Sequence, residues 1–189
     1  TRMVSSPSVL FHGDESQMAN IKAVSDGYPL RGELRVSRAA GGAGEVAGTP
    51  AAGEAYADPR LMQALGLRVG DALEFGAGML TVTRVVQAEP DTSGELMQLS
   101  PPLLVNRIDV DRAGLLGPGS RASYRMMFAG STDAIADFRG WLQPRAKGLR
   151  IVGIADAQRG GRGAFDLAGR FLSLAAVLGG RLGGVATAL

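Results

Sequence analysis

The chain has 189 residues, of which 46% are hydrophobic and 20% are charged, a balance typical of a globular protein that can build an apolar core. The formal net charge of +2 is too small an excess to indicate a nucleic-acid-binding protein. There is no cysteine, which excludes a disulfide framework and thiolate chemistry. Aromatic residues are few and there are 28 glycines, so we expect a core of Leu, Val, Ala and Met with many turns.

Alternating and β-branched runs predict an N-terminal hairpin followed by a β-rich middle. Asp58 and Pro59 predict the start of a short helix, as its N-cap and first residue, and Gly66 predicts its end. Residues 39–52, rich in Gly and Ala, predict a flexible surface loop. Strands are predicted over residues 8–12, 18–24, 33–37, 54–57, 72–75, 79–87, 103–106 and 121–129.

The last part of the chain predicts a βαβ unit. Ser131 or Thr132 caps a helix over residues 133–143, and a strand follows at residues 149–154. The apolar face of this helix comprises Ala134, Ile135, Phe138, Trp141 and Leu142. Because strand, helix and strand require a crossover, the pattern favours a split α/β sandwich. We therefore predict an α+β fold with two lobes, in which a β-rich lobe of about residues 33–106 is inserted into a lobe made of the βαβ unit and the first strands.

The segment after the second predicted strand is a shaped loop. Asp26 and Gly27 turn the chain, and Pro29 holds it extended between Tyr28 and Arg31. One interpretation is that Tyr28 and Pro29 close the edge of a core while Arg31 is solvated. The other is that Tyr28, Pro29 and Arg31 contact a partner or another lobe, because a rigid loop with an aromatic ring and an arginine suits an interface.

No constellation of residues indicates a catalytic, cofactor or metal site. His12 is the only histidine and is interpreted as an exposed residue at a strand end. Asp109 and Asp111, or Asp91 and Glu95, resemble calcium ligands, but the twelve-residue loop pattern with its glycine and final glutamate is missing. We interpret these four side chains as solvated loop carboxylates.

Enzyme motifs are also missing from the sequence. There is no Gly-x-x-x-x-Gly-Lys-Ser/Thr phosphate loop, so the chain is not itself predicted to hydrolyse ATP. A Gly-x-Ser-x-Gly nucleophile elbow is absent as well. The Gly-Arg segment at 159–163 has one copy and no interleaved aromatic, which favours a flexible linker over an RNA-binding repeat. We predict a non-catalytic protein without a cofactor.

Three motifs carry a resemblance to a known family. They are Lys-Ala-Val at 22–24, Gly-Tyr-Pro-Leu-Arg-Gly at 27–32 and Gly-Glu-Ala-Tyr-Ala-Asp-Pro-Arg-Leu at 53–61. With these motifs the chain resembles the periplasmic domain of bacterial ABC transporter permeases of the MacB/FtsX-like type, and most closely the YbbP-like permeases. The resemblance covers the chain from its first residues to its C-terminus. Its motifs indicate a fold and a cellular location rather than a catalytic site.

The resemblance implies the extracytoplasmic domain of a permease subunit in the bacterial inner membrane. A separate cytoplasmic ABC ATPase subunit would hydrolyse ATP, and the periplasmic domains, as a dimer or pseudo-dimer, would act as levers on a substrate or partner. The YbbP-like context implies a hydrophobic or lipid-like cargo and a periplasmic esterase or thioesterase partner. The residues alone leave open a freestanding soluble module that binds a ligand or a protein.

The C-terminal residues 171–189 are apolar except for Ser173, Arg181 and Thr187. An arginine near the middle of a membrane helix costs about 2.5–3.5 kcal/mol on insertion scales. On residues alone, a buried or interfacial helix and a truncated membrane span are both open. The resemblance implies a periplasmic domain over residues 1–170 and the start of the second membrane helix over residues 171–189.

Overall fold

The computed structural model describes residues 1–39, 41–90, 100–117 and 119–153. Its sheet has nine strands, accompanied by short helices. In chain order the elements are β1 (Arg2–His12), β2 (Glu15–Val24), β3 (Leu34–Ser37), β4 (Glu45–Ala47), β5 (Glu54–Ala57), α1 (Pro59–Ala64), β6 (Ala72–Phe75), β7 (Gly78–Ala88), β8 (Pro102–Asn106), α2 (Arg107–Arg112), β9 (Ser123–Met126) and α3 (Thr132–Leu142).

Six of the strands form a closed ring. β1 pairs antiparallel with β2, β2 parallel with β8, β8 antiparallel with β5, and β5 parallel with β7. β6 then pairs antiparallel with both β7 and β1, which closes the sheet on itself. Alternate residues of all six strands supply one apolar cluster, here called the first core, which therefore lies inside the ring. It includes Leu10, Ile21, Ala55, Phe75, Val82 and Leu103.

A second core lies on the other side of several of the same strands. β3 pairs with the end of β7, and β4 pairs with β3, so these two strands extend the sheet beyond the ring. Neighbouring residues of one strand, such as Ala23 and Val24, belong to different cores, which explains why β2 is nearly continuously buried at its end. The second core comprises Met3, Val24, Tyr28, Leu34, Val36, Tyr56 and Leu104.

Local signals for the first helix are confirmed. The Asp58 carboxylate accepts a hydrogen bond from the amide of Arg60 at 2.7 Å, and Pro59 is the first residue of α1. Gly66 follows the helix with a φ of +61°, a conformation that favours glycine. The turn that was predicted between residues 75 and 79 joins β6 to β7 as an antiparallel hairpin. These features depend on residues that are adjacent in sequence.

The α+β content is confirmed, but the predicted two-lobe architecture is not. The strands between residues 33 and 106 belong to the same continuous sheet as β1 and β2, which they join through β6 and β8. β9 is shorter than the predicted strand at 121–129, and it pairs antiparallel with β1. Residues 149–153 form no strand, contrary to the prediction, and residue 154 lies outside the described residues. The predicted βαβ unit at residues 121–154 therefore lacks its second strand within the described residues.

Two further predictions need correction. β1 begins at Arg2 rather than at residue 8, because β2 provides a partner for the whole strand from Met3 to His12. The segment 39–52 was predicted to be a flexible loop, but it contains the short strand β4. Both differences have the same cause, since pairing with a neighbouring strand stabilises an extended segment whose own residues are weak strand formers.

The chain divides into two compact units, Thr1–Asp137 and Phe138–Leu189. In the second unit the rings of Phe138 and Trp141 stack with centroids 5.9 Å apart, and the Arg145 guanidinium lies 4.7 Å from the centre of the Trp141 ring. No residue of α3 is buried, so its predicted apolar face is not part of a core. The predicted segments at 159–163 and 171–189 lie outside the described residues.

The helices of the described ranges are short. None of them is long and apolar enough to cross a membrane.

Candidate functional site

A lysine side chain lies inside the second core. Lys22 of β2 has Ser5 of β1 and Leu104 of β8 as its neighbours across the sheet, and it shares its face of β2 with Val24. Only 2% of its side chain is exposed. An ammonium group removed from water in this way needs an opposite charge or several hydrogen bonds, because isolated burial of a charge is very unfavourable.

Glu89, directly after β7, supplies that opposite charge. The Lys22 Nζ lies 2.6 Å from Glu89 Oε1, and the Glu89 side chain is 4% exposed. The Tyr28 hydroxyl donates a hydrogen bond to the same oxygen at 2.5 Å. The Lys22 Nζ is also 5.4 Å from the centre of the Tyr28 ring, within the range of a cation–π contact. We call these three residues the Lys22 cluster.

The Lys22 cluster joins three segments that are distant in sequence. Lys22 belongs to β2, Tyr28 to the loop that follows β2, and Glu89 to the segment directly after β7. Charge-assisted hydrogen bonds of this kind are about twice as strong as neutral ones, and their geometry is specific. The cluster therefore holds the loop after β2 against the sheet at one defined position, and its chemistry is that of a buried structural contact.

A second tyrosine lies in the same core. Burial, and then the negative charge of Glu54, raise the pKa of the Tyr56 hydroxyl above its usual value, while the positive charge of Arg84 opposes the shift. Glu54 also accepts a hydrogen bond from the Thr83 hydroxyl at 3.3 Å. The second core thus combines apolar packing with polar groups, and burial and neighbouring charges change the pKa of one of them, Tyr56.

The structure separates the three residues of the predicted contact loop. Tyr28 is buried, with 3% of the residue exposed, and its ring packs in the second core. Pro29 is half-buried after a cis peptide bond, and Arg31 is exposed. The burial of Tyr28 favours the interpretation in which this ring closes a core. A contact role of the loop with a partner or lobe stays a prediction, to which Pro29 and Arg31 can contribute accessible surface.

Arg31 links the loop to another segment of the first unit. Its Nη2 donates a hydrogen bond to the Gly130 carbonyl at 2.7 Å. The start of β1 connects to the same two segments, because the Arg2 amide donates to the Ser25 hydroxyl at 2.9 Å and the Met127 amide donates to the Thr1 carbonyl at 2.9 Å. The loop, the start of β1 and residues 126–130 therefore form one hydrogen-bonded surface.

The other candidate residues do not assemble into a reaction centre. His12 is partly exposed, with Nδ1 3.1 Å from the Leu65 carbonyl and Nε2 3.7 Å from the Asp71 carboxylate. Asp109 is not a solvated loop carboxylate as predicted, since it is buried in α2 and accepts a hydrogen bond from the Gly53 amide at 3.0 Å. Asp111 is exposed and pairs with Arg107.

Within the ranges that the structure describes, no group of three His, Cys, Asp or Glu side chains could hold a metal ion. Asp91 and Glu95, the other pair considered as calcium ligands, lie outside those ranges.

Sequence reasoning missed the pairing of Lys22 with Glu89. Lys22 stood in the predicted strand at residues 18–24, and Glu89 lay just after the predicted strand at residues 79–87. An alternating pattern shows which residues share a face, but it does not show that both faces are covered. Val24, an apolar residue on the same face as Lys22, was the available signal that this side of the strand could be buried.

No protein-family model matches the chain. Among curated proteins, the chain is 36% identical over 140 residues to the uncharacterised ABC transporter permease YbbP of Escherichia coli K12. The matched region is 74% of this chain and 16% of that permease, so the chain spans about a sixth of the length of its relative.

Two solved structures are partly similar to the chain. One is the extracellular domain of the noncanonic ABC-type transporter YknZ from Gram-positive bacteria, with a TM-score of 0.48, 11% identity, and coverage of 72% of this chain and 68% of that one. The other is the periplasmic region of MacB from Actinobacillus actinomycetemcomitans, with a TM-score of 0.49, 15% identity, and coverage of 76% and 66%.

The sequence relation over 140 residues carries the assignment, and it agrees with the family that the motifs at 22–32 and 53–61 indicated. The chain belongs to the MacB/FtsX-like ABC transporter permeases, of the YbbP-like type.

Proposed function

We propose that this chain is the extracytoplasmic domain of a permease subunit and that it couples ATP-driven movement to the handling of a hydrophobic or lipid-like substrate or of a periplasmic partner. The observation that carries the proposal is the 36% identity to a permease over 140 residues. In this function the domain is non-catalytic, and a separate cytoplasmic ABC ATPase subunit hydrolyses ATP. The intact permease stands in the bacterial inner membrane with this domain in the periplasm.

The closed sheet suits a part that transmits movement. β1 has 11 residues, which corresponds to about 35 Å of extended chain, and it pairs with β2 from Met3 to His12. Closure of the ring through β6 and the filling of its interior by the first core restrict bending of this long hairpin. A movement applied at one end of the hairpin would therefore be carried to the other end as a rigid displacement.

One face of this hairpin suits an apolar substrate or partner. Val9 of β1 lies opposite Met18 of β2, and Phe11 of β1 lies opposite Glu74 of β6, which in turn lies opposite Met79 of β7. Residues directly opposite each other in antiparallel pairs point to the same side of a sheet. Val9, Phe11, Met18 and Met79 therefore share one exposed face, which we call the hairpin face. Exposed apolar groups on one surface favour an interaction site.

The proposal includes partners that the family context suggests. These are the ATPase subunit, a periplasmic esterase or thioesterase, and a second permease half in a dimer or pseudo-dimer. The loop of Tyr28, Pro29 and Arg31 is proposed as a contact, with the buried Tyr28 ring as its anchor and Arg31 as its accessible group. Holding a contact loop rigid lowers the entropy that is lost when a partner binds.

Labelling of an introduced cysteine tests the location. This stretch has no cysteine, so Glu15→Cys at the exposed hairpin turn gives it one reactive thiol, in an intact permease from which other cysteines have been removed. We expect a membrane-impermeant maleimide to label this thiol in intact spheroplasts. Ala55→Cys, at a position with 0% exposure, is the control that the reagent reaches only after denaturation.

Two results would contradict the proposal. Labelling of Glu15→Cys only after lysis would place the domain in the cytoplasm. Recovery of the protein from the soluble fraction would favour the freestanding binding module instead.

Substitutions on the hairpin face test whether this face binds the substrate. Phe11→Ser with Met18→Ser should weaken the binding of a fluorescent fatty acid by the purified permease, while ATP hydrolysis by its ATPase subunit continues. The matched control is Val46→Ser on β4, an exposed apolar residue outside the hairpin face. Equal effects of the control and of the double variant would remove the hairpin face from the proposal.

A further inference from the structure

Residues 25–32, which connect β2 to β3, lie across the sheet, and we call them the strap. In the sheet order β8, β5 and β7 stand between β2 and β3. Tyr28, in the middle of the strap, shares the second core with Tyr56 of β5 and Leu104 of β8. The strap therefore crosses these strands on the side of the second core.

The first end of the strap is attached to the start of β1. The Ser25 amide donates a hydrogen bond to the Arg2 carbonyl at 3.0 Å, and the Arg2 amide donates to the Ser25 hydroxyl at 2.9 Å. The Thr1 hydroxyl donates to the Asp26 carbonyl at 3.1 Å. Thr1 also accepts a hydrogen bond from the Met127 amide at 2.9 Å, so this end of the strap lies beside the segment that follows β9.

The second end of the strap is attached to the segment after β7. The Tyr28 hydroxyl and the Lys22 ammonium both contact Glu89 Oε1, at 2.5 and 2.6 Å. Further along, Gly32 has a φ of +77°, and a Cβ at this position would lie 2.6 Å from the Pro90 Cβ. The backbone of the strap therefore rests directly on Pro90, an approach that a residue other than glycine would prevent.

Arg31 adds a connection back to the other side of the sheet. Its Nη2 donates to the Gly130 carbonyl at 2.7 Å. The strap thus contacts the start of β1, residues 127–130 and residues 89–90, three segments that are distant from one another in sequence.

The two ends of the strap differ in the strength expected of their hydrogen bonds. The side-chain bonds of Ser25 and Thr1 are neutral and exposed to solvent. Tyr28 and Glu89, by contrast, are buried, and the acceptor is a carboxylate. A hydrogen bond to a charged group contributes more to stability than a neutral one, and it is stronger away from water. The Lys22 cluster is therefore the firmer attachment.

We propose that the Lys22 cluster, through the Tyr28 hydroxyl, holds the strap closed on the second core, and that the closed strap makes residues 127–130 move together with the end of β7. Tyr28 is a positioning residue in this device. The use of the strap in transport rests on the proposed function, in which a displacement that reaches residues 127–130 would be passed across the sheet. The attachment itself is a property of the domain alone.

Limited trypsin digestion of the 189-residue chain, followed by mass spectrometry, tests the proposal. Arg31 lies in the strap, so the rate of cleavage after Arg31 reports how often the strap opens. Tyr28→Phe removes the hydroxyl and keeps both the ring and the Lys22–Glu89 pair. We expect it to speed this cleavage about tenfold or more, which corresponds to the loss of a hydrogen bond to a charged group.

Tyr56→Phe is the matched control, since it removes a tyrosine hydroxyl from the same core outside the strap. It should be cleaved after Arg31 at the rate of the parent chain. If Tyr28→Phe does not fold, Ser25→Ala, which loosens the first end of the strap, replaces it and should speed the same cleavage by a smaller factor.

Two other cleavage sites show how far the effect extends. An open strap no longer holds Gly130 through Arg31, so cleavage after Arg125 of β9 should also become faster in Tyr28→Phe, by a smaller factor. Arg68 is exposed in the turn before β6, away from the strap, and cleavage there should be unchanged.

Three outcomes would overturn the proposal. The first is parent-like cleavage of Tyr28→Phe after Arg31, which would mean that apolar packing alone holds the strap. The second is an increase after Arg68 as large as that after Arg31, because the hydroxyl would then act on the whole fold. The third is unchanged cleavage after Arg125, which would show that the strap does not connect the two sides of the sheet.

These outcomes are independent of the proposed function. Digestion is measured on the isolated chain, so a failure would leave the periplasmic location untouched. Labelling of Glu15→Cys only after lysis would contradict the location and leave the closed strap in place.

Discussion

The two cores of the first unit use the same strands in different ways. The first core, inside the ring, consists of apolar side chains from the six ring strands, from the two short helices beside them and from the turns that follow these helices. The second core buries Lys22 and Glu89 and includes two tyrosines among its aliphatic residues. Apolar packing tolerates exchange between residues of similar volume, whereas a buried ion pair depends on both partners being present. The stability of the second core therefore depends on particular residues more than that of the first.

The largest expected difference comes from two substitutions that hardly change volume. Glu89→Gln leaves the Lys22 ammonium buried without its opposite charge and should lower the free energy of unfolding by about 3–5 kcal/mol. Leu73→Met in the first core should lower it by less than about 1.5 kcal/mol. Urea denaturation of both variants measures the difference, and equal losses would show that the two cores do not differ in this way.

A rescue variant separates the charge from the packing. Lys22→Met combined with Glu89→Leu removes both charges and should recover most of the stability that Glu89→Gln loses, because an apolar pair needs no compensating partner. Failure of this rescue would mean that the polar contacts themselves, rather than the balance of charge, stabilise the second core.

Two substitutions of Tyr28 separate the contribution of its ring to stability from that of its hydroxyl. Tyr28→Ala should cost about 3–5 kcal/mol because it leaves a cavity in the second core. Tyr28→Phe keeps the ring and removes the hydrogen bond to Glu89, so we expect a loss of about 1.5–3 kcal/mol. Melting or denaturant curves measure both. If Tyr28→Ala were nearly neutral and only transport by the intact permease fell, the ring would serve a partner contact instead.

Alkaline unfolding sharpens the comparison further. The folded pKa of Tyr56 is raised above the unfolded value near 10, so the unfolded chain releases this proton first. The resulting stabilisation is present below pH ~10 and is lost as the pH rises from there through the folded pKa. The Tyr56→Phe variant should lack this part of the alkaline loss when denaturation curves are compared with those at neutral pH. Identical pH profiles would contradict the assignment.

The smallest effect is expected at Arg31, in the loop whose Tyr28 packs in the second core. Arg31 is exposed and donates one hydrogen bond to the Gly130 carbonyl, so Arg31→Glu should change the free energy of unfolding by no more than about 0.5 kcal/mol. Transport by the intact permease is the second measurement, and it should fall if the loop is a contact. A large loss of stability would instead make Arg31 part of the fold.

The sequence by itself determined the features that depend on near neighbours in the chain. The β1–β2 and β6–β7 hairpins, the start of α1 at Asp58 and Pro59, and the start of α3 after Ser131 were predictable in this way. Alternation, caps and turn residues act within a few positions, so they can be recognised without the rest of the fold. The resemblance to the permease family was also recognised from the sequence, and the relative confirmed the family.

Tertiary structure decided which faces of the strands are covered. Closure of the ring puts β2 between two cores, and this burial makes Lys22 and Glu89 a pair although they stand far apart in sequence. Pairing with β2 extends β1 through Ser5, Ser6 and Pro7, residues with little preference for strands. The predicted two-lobe arrangement was not confirmed, and local patterns could not have tested it, because the sheet is completed by strands that are distant in sequence.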